Sequence, residues 1–298
     1  MNDNLILQDL IKAKRNNPYT KNKTINELRK ETETAGALIP LPDNAKFKRI
    51  LAGNVYAEWI TCGKVDPDRI FMFMHGGGYY RGSIAATRAT VARISAETKM
   101  RCLSIDYRLA PEHPFPAAID DTYTAYNWLL KEGINPKKII VSGQSAGGGL
   151  CLALLLKIKA NNGAQPRGAV ALSPWTDLSQ SGKTMITNKD IDPVISKEYL
   201  DRMANLYLCQ TPSISPLASP LYGDLSELPN ILVQVGSAET MLDDSKRFVE
   251  KAKAAKVDIQ IEVWKDMFHG WHGSAHILVD AQMAINSIAV FCRRLFSS

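Results

Sequence analysis

Short apolar runs alternate with longer amphipathic stretches from residue 69 onward. The apolar runs have strand length and are nearly continuous, which is typical of strands buried on both faces of a parallel sheet. They cover residues 70–74, 101–105, 139–142, 169–172, 231–235 and 259–263. The stretches between or after these runs predict helices over residues 84–98, 116–131, 146–160, 242–255 and 276–296. The alternation predicts an α/β fold with a mainly parallel sheet.

Three segments lie outside this alternation. Apolar residues at helical spacing in residues 5–39, with Pro18 as a break, predict one or two helices before the core. Residues 47–51 and 55–60 alternate around a Gly-Asn turn and predict a β-hairpin. About fifty residues separate the apolar runs that end at 172 and begin at 231, too many for a bare connection. A further helix, predicted over residues 196–209, indicates an insertion there.

The composition fits one folded α/β domain with an elaboration. The chain has 298 residues, of which 45% are hydrophobic and 22% charged, close to globular averages. Lys and Arg number 36 against 30 Asp and Glu, giving a net charge of +6. Basic runs such as residues 12–15 accompany no nucleic-acid-reading module, so we interpret them as solvated helix faces. We expect no nucleic-acid partner.

The cysteine pattern and the N-terminus bear on compartment and cofactors. An odd count without a CxxC pair argues against both a disulfide framework and a zinc site. The cysteines are residues 62, 102, 151, 209 and 292. The first residues lack a positively charged leader, Gln8 and Asp9 interrupt their apolar stretch, and no run has the length of a membrane span. We therefore expect no metal, no signal peptide, no membrane insertion and a reducing, cytoplasmic location.

The segment 138–150 places a Gly-x-Ser-x-Gly pattern between a predicted strand and a predicted helix. The bare pattern arises by chance in about one chain of this length in ten, so its context carries the information. A strand, this turn and a helix describe a nucleophile elbow, in which Gly143 and Gly147 let the backbones approach and Ser145 is presented above the sheet. The alternative is a glycine-rich helix start that holds an anion.

A His-Gly-Gly-Gly run at residues 75–78 follows another buried strand. Such a run is expected by chance in only roughly a few chains per thousand. Glycines leave backbone N–H groups unshielded, and ester hydrolysis needs such donors where the carbonyl oxygen becomes negative. We therefore predict an oxyanion hole from Gly77, Gly78 and the N–H of Ala146, with His75 as a brace for the glycine loop.

Serine requires a histidine to accept its proton. His113 lies in a Pro-rich loop, and His276 is expected to open the last helix with its face toward packing. His269 and His272 both follow the final predicted strand. We favour His269, which comes first after that strand and precedes a glycine, and keep His272 as the alternative.

The histidine in turn requires an acid to orient it. Glu239 follows the strand that ends at Gly236 and is the predicted acid. Asp243 and Asp244 begin the next helix, where carboxylates favour the positive end of the dipole, and Asp243 remains a fallback. The order serine, acid, histidine is that of folds with a nucleophile elbow.

Together these motifs resemble the bacterial hormone-sensitive-lipase family of α/β-hydrolases, the family IV esterases. The resemblance runs from about residue 45 to the C-terminus. It rests on residues 75–78, 106–117, 143–148, 173–178 and 269–270. It implies a mostly parallel, eight-stranded central sheet flanked by helices, with a helical cap. Cap helices in residues 1–44 would precede a catalytic domain over 45–298, with a cap insertion at about 178–212.

The resemblance implies that Ser145 is the nucleophile, His269 the base and Glu239 the acid, with Gly77, Gly78 and Ala146 as oxyanion donors. Family members usually carry Asp at the acid position, and Asp or Thr where this chain has Gln144. Tyr79, Met203 and Tyr207 are the residues that we expect to line the substrate pocket.

We expect a carboxylesterase that cleaves short-chain esters with water through an acyl-enzyme, without a cofactor; relatives also suggest a homodimer. A lactonase or an aryl-ester or amide deacetylase could use the same triad. A non-catalytic small-ligand receptor is a different class, because the plant gibberellin receptors resemble this family. Those receptors have lost the histidine, whereas His269 is present here.

Overall fold

The computed structural model describes residues 3–16 and 23–297. Within them one sheet contains eight strands. These are β1 (Ala45–Ala52), β2 (Val55–Cys62), β3 (Asp66–Met74), β4 (Met100–Asp106), β5 (Ile139–Gln144), β6 (Gly168–Leu172), β7 (Asn230–Gly236) and β8 (Ile259–Trp264). Their order is β1-β2-β4-β3-β5-β6-β7-β8. The first two pair antiparallel as the predicted hairpin, β2 pairs antiparallel with β4, and all other pairs are parallel.

Helices cover both faces of this sheet, as the alternation of runs predicts. They are α1 (Asp3–Asn16), α2 (Ile25–Ala37), α3 (Ile84–Thr98), α4 (Ala117–Lys131), α5 (Ala146–Ala160), α6 (Thr184–Thr187), α7 (Lys197–Leu208), α8 (Leu242–Ala254) and α9 (Val279–Ser297). Side chains of β3 alternate between two cores, with Phe71 and Phe73 in one and Met72 and Met74 in the other. The first core includes α3 and α9, and the second includes α4, α5 and α8. The predicted α/β-hydrolase architecture is confirmed.

Two segments outside the sheet pack near the carboxyl ends of its strands: the N-terminal helices, and the insertion between β6 and β7. Helix α1 places Leu7 in a small core with Phe268 and Trp271, which flank His269. Helix α2 begins after a capping box and is held by Arg29, whose Nε donates to the carbonyl of Tyr80 at 2.8 Å. The insertion between β6 and β7 contains α6 and α7. Pro18, the predicted break, lies outside the described residues.

The last helix begins later than the sequence predicts. It starts at Val279, because its buried face begins only at Leu278 and continues through Ala281 and Ala284. His276 precedes the helix in a turn and is exposed, so the expectation that it opens the helix and faces packing is wrong. No helix in residues 3–16 or 23–297 is both long and apolar enough to cross a membrane.

Candidate active site

Ser145 stands at a sharp turn between β5 and α5. Its backbone has φ 58° and ψ −120°, a sparsely populated conformation for a non-glycine residue. Three hydrogen bonds hold it there. Its N–H donates to the carbonyl of Leu172 at 2.8 Å, and its carbonyl accepts from the N–H groups of Gly149 and Trp175 at 2.9 and 3.0 Å. The strained turn is thus held by the first turn of α5 and by the end of β6 with the loop after it, as expected for a nucleophile elbow.

Glycines around the turn allow backbones to meet without side chains between them. A Cβ atom on Gly147 would overlap the carbonyls of Met74 and His75, and one on Gly143 would overlap the carbonyl of Gly147. A Cβ atom on Gly76 would come within 3.2 Å of the Ser145 Cβ. The start of α5 therefore lies directly against the end of β3, where the glycine run begins.

The glycine run forms a tight loop beside the serine. Gly77 and Gly78 have φ values of 120° and 62°, which side-chain-bearing residues rarely adopt. His75 braces the loop, as predicted: its Nδ1 donates to the carbonyl of Gly76 at 2.8 Å, and its ring stacks on Tyr107 at 4.3 Å. Burial lowers the pKa of His75, which keeps this brace neutral.

His269 and Glu239 form a direct pair at the ends of the last two strands. The Nδ1 of His269 donates to the Oε2 of Glu239 at 2.7 Å. Glu239 is fully buried, and its Oε1 accepts from the Gly236 N–H at 2.6 Å and the Ser173 Oγ at 2.7 Å. Both carboxylate oxygens are therefore satisfied, which a buried charge requires. His269 and Ser145 line the same cavity.

The alternative histidine and acid have other partners. His272 Nε2 is 3.0 Å from Gln234 Oε1, the ring lies against Trp271, and burial lowers the pKa of His272 to about 3. Asp243 accepts from the Thr184 N–H at 3.2 Å. Asp244 accepts from two backbone N–H groups at 2.9 Å. These side chains support the backbone around the site, and neither carboxylate is bonded to His269.

The cavity above Ser145 has a volume of about 430 Å³. Its wall includes Gly77, Gly78 and His269, and Met203 from α7. Tyr79 and Tyr207 do not line it, contrary to the expectation from sequence. Their rings stack on each other at 3.7 Å and are buried behind the wall, because stacking and burial satisfy large aromatic faces better than exposure to the cavity.

Comparisons with known proteins agree with this geometry. A family model of the α/β-hydrolase fold matches residues 71–273. An esterase from Acinetobacter venetianus is 35% identical over 97% of this chain and 95% of its own length. The chain belongs to the α/β-hydrolase family. An acetyl-hydrolase from Streptomyces hygroscopicus is 36% identical over 82% of this chain and 81% of its own length.

The structural comparison narrows the family further. The crystal structure of an esterase from the bacterial hormone-sensitive lipase family has a TM-score of 0.95 and 42% identity to this α/β-hydrolase, with 97% of both chains covered. The resemblance read from the five motifs is thereby confirmed.

Several residues of the cavity wall in this α/β-hydrolase were missed by sequence reasoning. Arg81 and Tyr199 line the cavity, with the guanidinium 5.7 Å from the centre of the Tyr199 ring. Val194 and Ile195 extend the wall from the insertion between β6 and β7. Tyr199 lies one helical turn before Met203 on the buried face of α7, so helical spacing could have found it. Arg81 carries no such signal.

Neither a metal site nor an anion-binding helix start is needed to explain the site. Within residues 3–16 and 23–297, no three His, Cys, Asp or Glu side chains are grouped to hold a metal ion. The first turn of α5 contacts the glycine run, and Ser145 shares a cavity with a paired histidine. This arrangement fits nucleophilic catalysis better than anion binding.

Proposed function

We propose that this protein hydrolyses short-chain carboxylic esters through an acyl-enzyme formed on Ser145. Carboxylic ester hydrolysis itself follows from the family and from the esterase and acetyl-hydrolase relatives, so the chain is a carboxylesterase. The residue roles rest on one observation above all. His269 lines the same cavity as Ser145 and donates to Glu239, which is fully buried behind it.

In the first half-reaction the Ser145 Oγ attacks the ester carbonyl carbon and His269 Nε2 accepts the serine proton. Nδ1 stays bonded to Glu239, whose negative charge stabilises the imidazolium. The N–H groups of Gly77, Gly78 and Ala146 stabilise the negative oxygen of the tetrahedral intermediate. The C–O bond to the alcohol then breaks, and the imidazolium gives its proton to the leaving alcohol.

In the second half-reaction water replaces the alcohol. His269 takes a proton from a water molecule, and the resulting hydroxide attacks the acyl carbon bound to Ser145. The acyl–serine bond breaks, the proton returns to the Ser145 Oγ, and the carboxylic acid leaves. The same serine, histidine and oxyanion donors thus serve both steps.

The limited cavity supports a preference for short acyl chains. Its volume is about 430 Å³, and the side chain of Met203 occupies the space directly over Gly78. A long acyl chain would have to displace this side chain or leave through the opening of the cavity. Short acyl groups fit without either change.

The test is a p-nitrophenyl ester series from acetate to decanoate on the wild type and on Ser145→Ala. We expect kcat/KM to be highest at short chains and to be lost in Ser145→Ala. Ser142→Ala, on the same strand and fully buried, is the matched control and should retain activity. Full esterase activity in Ser145→Ala would refute the assignment, and rates that rise toward decanoate would refute the short-chain preference.

We also propose a cytoplasmic location and a homodimer. All five cysteines are free, which supports a reducing compartment, and cell fractionation would test it. Strand β8 forms one edge of the sheet, and no described strand pairs with its outer side. Pairing with β8 of a second copy would extend the sheet. Sedimentation velocity distinguishes monomer from dimer.

A further inference from the structure

The carboxylate of Asp192 connects the cap insertion to the loop that carries the acid. Its Oδ1 accepts from the N–H groups of Val194 and Ile195, at 2.8 and 3.0 Å, and both of those residues line the cavity. Its Oδ2 accepts from the N–H and the Oγ1 of Thr240, at 2.8 and 3.1 Å. Thr240 directly follows Glu239 in the chain. One side chain therefore joins the cavity wall to the catalytic acid.

Two neighbouring residues of the insertion hold the same loop. Asn188 Nδ2 donates to the carbonyl of Glu239 at 2.9 Å and to that of Ser237 at 3.1 Å. Thr184 Oγ1 donates to the carbonyl of Thr240 at 2.7 Å. The short segment from 184 to 192 thus supplies hydrogen bonds to the acid loop. Of the three residues that make them, only Asp192 has an ionisable side chain.

The position of this loop decides how the acid meets the base. The Glu239 carboxylate reaches His269 from a backbone turn between β7 and α8. Hydrogen bonds to an ionised carboxylate are stronger than neutral ones, so Asp192 is the firmest of the three ties. A displacement of about 1 Å in catalytic geometry can reduce a rate by up to about a hundredfold.

We propose that Asp192 is a positioning residue that sets the orientation of Glu239 and fastens the acid loop to the cap wall. The inference rests on the roles proposed above for Glu239 and His269. Asp192 acts through Thr240 and the Glu239 backbone, and we assign it no contact with the substrate or with the reacting atoms. The acid of the triad is thereby held from the cap as well as from the sheet.

Asp192→Asn tests this directly, because the new amide NH2 faces backbone N–H donors where an acceptor is required. We expect kcat for p-nitrophenyl butyrate to fall about tenfold while KM stays within about twofold. Asp190→Asn makes the same charge change at an exposed position of the same segment and should keep the wild-type kcat. An unchanged kcat in Asp192→Asn would overturn the proposal.

A double-mutant cycle with Glu239→Gln separates positioning from a general structural role. If Asp192 acts through Glu239, adding Asp192→Asn to Glu239→Gln causes no further loss of kcat. A general structural defect lowers kcat by the same factor in both backgrounds, and that result overturns the proposal. Thr240→Val removes only the hydroxyl bond to Asp192 and provides the same cycle if Asp192→Asn does not fold; we expect a loss of about threefold.

Failure of this inference and failure of the proposed function look different. If Ser145→Ala keeps full activity, the nucleophile assignment fails whatever Asp192 does. If Ser145→Ala is inactive and Asp192→Asn matches the wild type, only the role of Asp192 fails. Circular dichroism and thermal unfolding of each variant show whether a lost rate comes with lost structure.

Discussion

Gln144 packs against the loop that carries His269, the proposed base. Its side chain lines the cavity, and its Nε2 occupies the position that a Cβ atom on Gly270 would need. Gly270 directly follows His269 and has φ 74°. The Gln144 amide therefore packs against Gly270, next to His269. A relative with Asp or Thr at the position of Gln144 has a shorter side chain there, so the packing against the histidine loop must differ.

Gly270→Ala should reduce kcat/KM for p-nitrophenyl butyrate about tenfold, because the new methyl group meets Gln144 and the backbone is strained at positive φ. The double variant Gly270→Ala/Gln144→Ala lacks this overlap, so it should recover part of the lost kcat/KM. Gly133→Ala is the control, since Gly133 has φ 84° with open space around it. Gly133→Ala introduces the same kind of backbone strain without a steric overlap, and it should leave kcat/KM unchanged. No rescue in the double variant would contradict the proposed overlap.

At the scale of elements, α7 places one side chain over the glycine run at residues 75–78. Met203 lies on its buried face, and a Cβ atom on Gly78 would overlap the Met203 sulfur. The helix starts at a Ser196 cap, whose hydroxyl accepts from the Tyr199 N–H. Helix α7 thereby sets how much room the cavity has above Gly78.

Met203→Ala should shift the acyl preference toward longer chains by freeing space over Gly78. We expect the ratio of kcat/KM for octanoate to that for butyrate to rise about tenfold, the scale of a few methylene contacts. Asn205→Ala, on the exposed side of the same helix, should leave the ratio unchanged. The measurement is the p-nitrophenyl ester series. An equal loss for all chain lengths would show that Met203 supports the fold without limiting the acyl chain.

The elements that the sequence predicts best are those determined by the local spacing of apolar residues. Buried strands and amphipathic helices follow from apolar spacing, and the ends of parallel strands bring Ser145, Glu239 and His269 to one edge. The cavity wall depends on how α2 and the insertion between β6 and β7 pack over the sheet, which no local pattern encodes. Tyr79 illustrates this limit. It stacks on Tyr207, which is distant in the sequence, and no local pattern around either residue predicts that contact.

Across the whole molecule, a buried polar network joins the last two strands to the last helix. Gln234 on β7 donates to Glu262 on β8 at 2.8 Å and to the carbonyl of Ala284 on α9 at 2.9 Å. Its Oε1 lies 3.0 Å from His272 Nε2. Since a carboxamide oxygen only accepts, Nε2 carries the proton and donates. Because burial also lowers the pKa of His272 to about 3, the alternative catalytic base supports the fold in its neutral form.

This neutral histidine should make the free energy of unfolding depend on pH. Burial, together with the nearby His269, lowers the pKa of His272 from its ordinary value of 6.5 to about 3. Between these values the unfolded chain binds a proton that the folded chain does not, so stability is lost as the pH falls below 6.5. The slope reaches at most about 1.4 kcal/mol per pH unit.

His272→Asn removes this titration. We expect the wild type to lose stability relative to the variant as the pH is lowered from about 7 to about 5, and the difference between them to be constant above about 7. Urea unfolding at several pH values measures it, with His113→Asn, at an exposed histidine, as the control. A wild-type–variant difference that does not change with pH would mean that His272 has the same pKa in the folded and the unfolded chain, which would contradict the neutral buried histidine.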